Sequence, residues 1–167
     1  MIDEFIGKDT KVIVLVRPVV EIVKSFVKLY KENGIYTEQL ERDLLNPGSD
    51  PLARPLVGVY AAQQDTSGRF IFVSYKDLVE DTAKTLEGIY KFCGWDRFIH
   101  NTHNIKPSYF ENDGVYGLKG MHKVRKKVGY RENYTQLMDK TLQDCMEIDK
   151  ALNLTDLKVN TASDVPC

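Results

Sequence analysis

Arg17 closes the apolar run Lys11-Val12-Ile13-Val14-Leu15-Val16, and Ser25 follows it by eight residues. A guanidinium keeps its charge and offers a planar fork of donors that matches two oxygens of a phosphate. A helix opening at Pro18 or Val19 adds unpaired backbone N–H groups and a partial positive charge beside it. A strand that carries arginine to its carboxyl end, followed at once by a helix N-terminus, is one way an open α/β sheet holds phosphate. The pair therefore points to a phosphate-bearing, nucleotide-type ligand. The alternative is that Arg17 pairs with a nearby carboxylate and Ser25 is a tolerated helix serine.

A second basic group lies late in the chain, where Lys119, Lys123, Arg125, Lys126, Lys127 and Arg131 surround His122 with no acidic residue among them. It is either a further set of phosphate ligands, a solvated basic loop or a weak nucleic-acid patch. No aromatic ladder interleaves it, as single-stranded nucleic acid would require. The formal net charge of −1 gives no overall pull toward nucleic acid or anionic membrane, so any anion site is local. Nucleic acid is not an expected partner.

Cys93, Cys145 and Cys167 form an odd set without Cys-x-x-Cys spacing, and no histidine pattern accompanies them. They read as reduced thiols of a cytoplasmic protein, with no metal site. No apolar stretch approaches the roughly 18 residues of a spanning helix, and Met1-Ile2-Asp3-Glu4-Phe5 lacks the basic start of a secretory leader.

The elements that must position these groups follow from periodicity. Val19, Ile22, Val23, Phe26, Val27 and Tyr30 keep helical spacing until Asn33-Gly34 stops them. An irregular excursion is expected from Ile35 to Pro55, including Asn46-Pro47-Gly48-Ser49-Asp50-Pro51. A short helix over Leu56–Gln64 precedes a second strand, Arg69–Tyr75, apolar on both faces as in a covered parallel strand. Val79, Ala83, Leu86, Tyr90 and Cys93 trace one helical stripe ending at Gly94. Asp96 to Tyr134 reads as largely irregular. A last helix carries Leu137, Met138, Thr141, Leu142, Cys145, Ile148 and Leu152, with Asn133 or Thr135 as its cap. The order is α/β, in one domain over 1–154 with a frayed polar tail over 155–167. Two visible strands are few for a sheet flanked by this many helices.

From about Lys11 to Leu152 the chain resembles the sulfotransferases that use 3′-phosphoadenosine 5′-phosphosulfate. Arg17 with Glu21 four on and Ser25 eight on is similar to that family's 3′-phosphate segment. Val73-Ser74-Tyr75-Lys76-Asp77-Leu78, with the helix ending Phe92-Cys93-Gly94, is similar to its strand with Tyr-Glu-Asp-Leu and the helix closing in Phe-Leu-Gly. Arg125-Lys126-Lys127-Val128-Gly129 resembles its late Arg-Lys-Gly loop. Two positions depart from the pattern: Pro18 follows Arg17 directly instead of standing two residues on, and Lys127 replaces a glycine.

The resemblance implies a three-layer parallel sheet of P-loop NTPase-like sulfotransferase type. It implies that Arg17, Ser25, Arg125 and Lys126 hold the donor's 3′-phosphate, that Tyr75 lies near the adenine, and that the reaction needs no metal. The family's opening strand, its Gly/Ser/Thr-rich loop for the 5′-phosphosulfate and its early catalytic histidine have no counterpart here. The fold is therefore expected to be N-terminally truncated and to depend on a missing segment or another chain. His100, His103 and His122 all follow the second strand, so no catalytic residue is assigned. The expected function is sulfuryl transfer to a hydroxyl or amine acceptor of unknown class. The alternatives are a non-catalytic nucleotide-binding or interaction module and, less favoured, a nucleotide or small-molecule kinase fragment.

Overall fold

The computed structural model describes residues 7, 10–48, 52–109 and 111–155. Met1–Phe5, the Ser49-Asp50-Pro51 part of the expected turn, Cys167 and all but the first residue of the expected tail lie outside these residues. The elements are β1 (Val12–Val16), α1 (Val19–Glu32), α2 (Glu38–Asp43), α3 (Ala53–Gln63), β2 (Phe70–Ser74), α4 (Tyr75–Glu80), α5 (Thr82–Cys93), a 3-10 turn (Asp113–Tyr116) and α6 (Asp139–Ala151). No described helix is long and apolar enough to cross a membrane.

β1 and β2 pair in parallel, with Val12 opposite Phe70 and Val16 opposite Ser74. Parallel strands need a long crossover, which α1, α2 and α3 supply. Alternation along the strands divides the core. Val14, Val16 and Phe72 join Val19, Val23 and Val27 of α1, Leu44, Leu52 and Cys145 of α6. Ile71 and Val73 instead join Ile89 of α5, with Leu78, Leu86 and Phe92 around them.

The three α1 valines are β-branched and only modest helix formers, but they recur at four-residue spacing and are fully buried. Complete burial contributes about 1.5–3 kcal/mol for a side chain of this kind, well above the propensity cost. Gly34 ends the helix at φ 69°, in the left-handed region that favours glycine, and the Asn33 side chain donates to the Leu29 carbonyl at 2.9 Å.

The structure corrects four sequence expectations. The excursion after Ile35 contains α2, because the Thr37 hydroxyl caps it by accepting from Leu40 N–H at 3.1 Å. The stripe from Val79 to Cys93 is carried by two helices, broken at Asp81, whose carboxylate accepts from Lys84 N–H and restarts the chain as α5. Neither Asn133 nor Thr135 caps α6: Asn133 accepts from Thr135 N–H in a local turn, and the N–H of Met138 bonds the Glu41 carboxylate at 2.7 Å. The buried face of α6 is Thr141, Cys145 and Asp149, while Leu142 is exposed.

Burial, followed by the negative charge of Asp149, pushes the Cys145 thiol up to about 12. The thiolate is the reactive species, so Cys145 should resist iodoacetamide in the native protein at about pH 8 and react once guanidinium unfolds the chain. Peptide mass mapping reads the difference, and equal labelling of Cys145 in both states would contradict this packing.

Candidate functional site

The parallel register places the residues just beyond Val16 and Ser74 side by side. Those residues are Arg17 and Tyr75, and the guanidinium carbon lies 4.5 Å from the centre of the tyrosine ring. A cation over an aromatic face is held by the ring quadrupole while its edge remains open to other partners. On another side the Arg17 Nε donates to Glu21 Oε2 at 2.9 Å, so the carboxylate pairing expected as the alternative for Arg17 is present.

Around this pair lies an open groove of about 450 Å³, lined by Arg17, Glu21, Lys24, Tyr130, Arg131 and Tyr134 among others. Its cations come from two distant stretches, β1–α1 and the end of the basic cluster. The Tyr130 hydroxyl donates to the second oxygen of Glu21 at 3.3 Å and bridges the two stretches. Burial, then the charge of Glu21, raises the Tyr130 phenol above its usual value, so it stays a neutral donor at ordinary pH.

The other sequence-derived residues sit further out. Ser25 is exposed on α1 and does not line the groove. Arg125 and Lys126 are exposed as well, on a stretch tied to residues 102–105 by Ile105 N–H to the Lys126 carbonyl at 2.8 Å and Val128 N–H to the Thr102 carbonyl at 2.9 Å. Arg131, five residues after Lys126, is the cation of the late cluster that lines the groove.

The start of α1 is already occupied. Asp149 of α6 accepts from Val19 N–H at 2.6 Å and from Val20 N–H at 3.4 Å, so these donors cap an internal carboxylate instead of standing free for a ligand. Nothing in the sequence links Asp149 to Val19 beyond its place on the buried stripe of the last helix.

His122 is likewise engaged. Its Nδ1 lies 2.7 Å from Glu111 Oε2 and 2.8 Å from Asp113 Oδ1. Partial burial opposes ionisation of Asp113, but the hydrogen bonds from the ring and backbone of His122 hold its carboxyl below the usual range. The ligand atoms of Glu111, Asp113 and His122 lie within 4.8 Å of one another, a grouping that cysteine and histidine spacing did not reveal because two of its three members are carboxylates.

Comparison with known proteins gives one family match: the model described as "Sulfotransferase family" matches residues 7–99. That stretch includes β1, α1, β2 and the Arg17–Tyr75 pair. No curated protein matches the chain.

Burial lifts Asp149 above its ordinary value of 3.8, against the opposing effect of the Val19 and Val20 N–H bonds. The native state therefore keeps this proton at a pH where the unfolded chain has lost it, and stability falls as pH rises through that window. Urea unfolding of the wild type and Asp149→Asn at stepped pH should show the wild type losing ground relative to the variant above pH 3.8, then a constant difference once the native carboxyl has ionised. A difference that grows in the wild type's favour over that window would overturn the assignment.

Proposed function

The chain belongs to the sulfotransferase family, and on that premise we propose that it carries the 3′-phosphate and adenosine half of a site for 3′-phosphoadenosine 5′-phosphosulfate, serving sulfuryl transfer to a hydroxyl or amine acceptor. The observation that carries this reading is Arg17 stacked on Tyr75 at the matched ends of β1 and β2, facing a groove that also holds Lys24 and Arg131. Family membership implies that co-substrate, and the donor set suits its 3′-phosphate: a guanidinium fork with further cations beside it. When bound, the co-substrate supplies an activated sulfuryl group.

In this reading Arg17 binds the 3′-phosphate through its terminal nitrogens, and Tyr75 holds the guanidinium from below and borders the adenine. Ser25, exposed on α1, extends the same helix face toward the phosphate. Arg125 and Lys126 close on the anion from their exposed stretch when it binds. Residues 1–154 form one incomplete domain.

The sheet supports a larger, three-layer parallel arrangement. Ile13 and Leu15 share a face with Ile71 and Val73 by register, yet they are 42% and 53% exposed where their neighbours are 3% and 1%. We propose that a further strand lies along the free edge of β1, brings the loop for the 5′-phosphosulfate, and comes from a missing segment or another chain.

A second reading, a nucleotide-binding or interaction module without transfer activity, is favoured by the groove itself, whose cations Arg17, Lys24 and Arg131 suit holding an anion and not breaking its bonds. Transfer assays with the intact protein and varied acceptors separate the two. For the shared half-site, Arg17→Ala should weaken binding of 3′,5′-adenosine bisphosphate in calorimetric titrations by roughly ten- to a hundredfold, the scale of a charge-assisted hydrogen bond, and leave AMP much less affected. Equal loss for both ligands would remove the 3′-phosphate assignment.

A further inference from the structure

Glu21 is a carboxylate inside a groove otherwise suited to an anion, and its two oxygens are divided between two partners. Oε2 takes the Arg17 Nε–H at 2.9 Å, and Oε1 takes the Tyr130 hydroxyl at 3.3 Å. Glu21 lies in the first turn of α1, four residues after Arg17, which precedes the helix, so the turn from β1 into α1 brings the two side chains together. The side chains of Arg17 and Glu21 are 23% and 28% exposed, which shields the pair from much of the screening that weakens surface ion pairs.

The geometry divides the guanidinium by function. Its face rests on Tyr75 and its Nε–H is taken by Glu21. The four remaining N–H donors are those on the terminal nitrogens, the edge that grips two oxygens of one anion. Among the described residues no other hydrogen bond from Arg17 is recorded. A free arginine side chain gives up rotamer freedom on binding, and a guanidinium already fixed at its Nε and face gives up less. The carboxylate does not reverse the sign of the site: the groove holds Arg17, Lys24 and Arg131 against Glu21 and Glu132, leaving a positive surplus.

We propose that Glu21, held in turn by Tyr130, is the positioning residue of this anion site: it presents the terminal edge of Arg17 to the ligand and ties the end of the basic cluster to the end of β1. As an account of 3′-phosphate selectivity it rests on the donor-site reading above. Glu21 acts through Arg17 and touches no reacting atom.

The test compares wild type, Glu21→Met and Glu21→Gln, the first of similar length without an acceptor oxygen and the second with the acceptor kept. Calorimetry measures the preference for 3′,5′-adenosine bisphosphate over AMP, and ¹⁵N-arginine NMR follows the exchange protection of the Arg17 Nε–Hε proton without ligand. Glu21→Met should lose about tenfold of the preference, the scale of one hydrogen bond to a charged group, while Glu21→Gln stays within about threefold of wild type. Retained preference in Glu21→Met would overturn the proposal. If the wild type itself shows no preference, the donor-site reading falls, and the NMR decides the positioning role alone. Protection lost in Glu21→Met and kept in Glu21→Gln upholds it, and protection unchanged in both overturns it.

Discussion

The carboxylate of Asp149 holds the last helix to the first by capping the opening N–H groups of α1. It is buried, 4% exposed, and lies 130 residues from Val19, so it closes a long loop of the fold through a hydrogen bond and not through apolar contact alone. Glu41 makes a matching link from α2: fully buried, it accepts from Tyr36 and from the N–H that opens α6. Among the described residues, no buried side-chain polar atom lacks a partner. Unpaired carboxylates in these places would each cost several kcal/mol. The two acids therefore fix the relative position of α1, α2 and α6, and with it the direction in which Arg17 leaves the sheet.

That arrangement changes how the proposed anion site would work. A helix N-terminus can bind a ligand anion only while its donors are free, and here an internal carboxylate has taken them. The burden shifts to side chains. Arg17 is fixed by Tyr75 below and Glu21 beside it, and Lys24 and Arg131 supply the extra charge. A site built from side chains depends more on what orients them than one built from backbone amides, which the helix orients for free.

The strands and the first helix were legible because they rest on short-range rules, whereas the meeting of Arg17 with Tyr75 came only with the register of the two strands. Apolar runs of β-branched residues became β1 and β2, a valine stripe became α1, and two residues each just past a strand met because a parallel register must bring them together. The roles of Asp149, Glu41 and His122 were not legible. An acid on an apolar helical stripe reads as a flaw until its partner 130 residues away is known. The groove likewise takes Arg131 from a run of similar cations, a choice made by the path of the 96–134 stretch, which follows no period. The Asn33 side chain pins that path by exchanging hydrogen bonds with the backbone of Lys119, a contact no local pattern specifies.

The uneven covering of the sheet gives the proposed half-site its physical meaning. Burying a strand on both faces demands a helix layer on each side. β2 has this on both faces, through Val73 and Ile71 under α5 and Phe72 toward α1. β1 has it on one face only, since Val14 and Val16 meet α1 while Ile13 and Leu15 stand in the open. The side of the sheet that is finished is also the side where β2 delivers Tyr75 beneath Arg17. Among the described residues β1 pairs with β2 alone, and its other edge runs up to the same arginine. The strand proposed for that edge, if it pairs in parallel and in register as β2 does, would end beside Arg17, because parallel register carries neighbouring strand ends to one line. The proposed strand would bring new backbone to the anion groove, and the helix layer over it would cover Ile13 and Leu15, so completing the core and completing the site would go together.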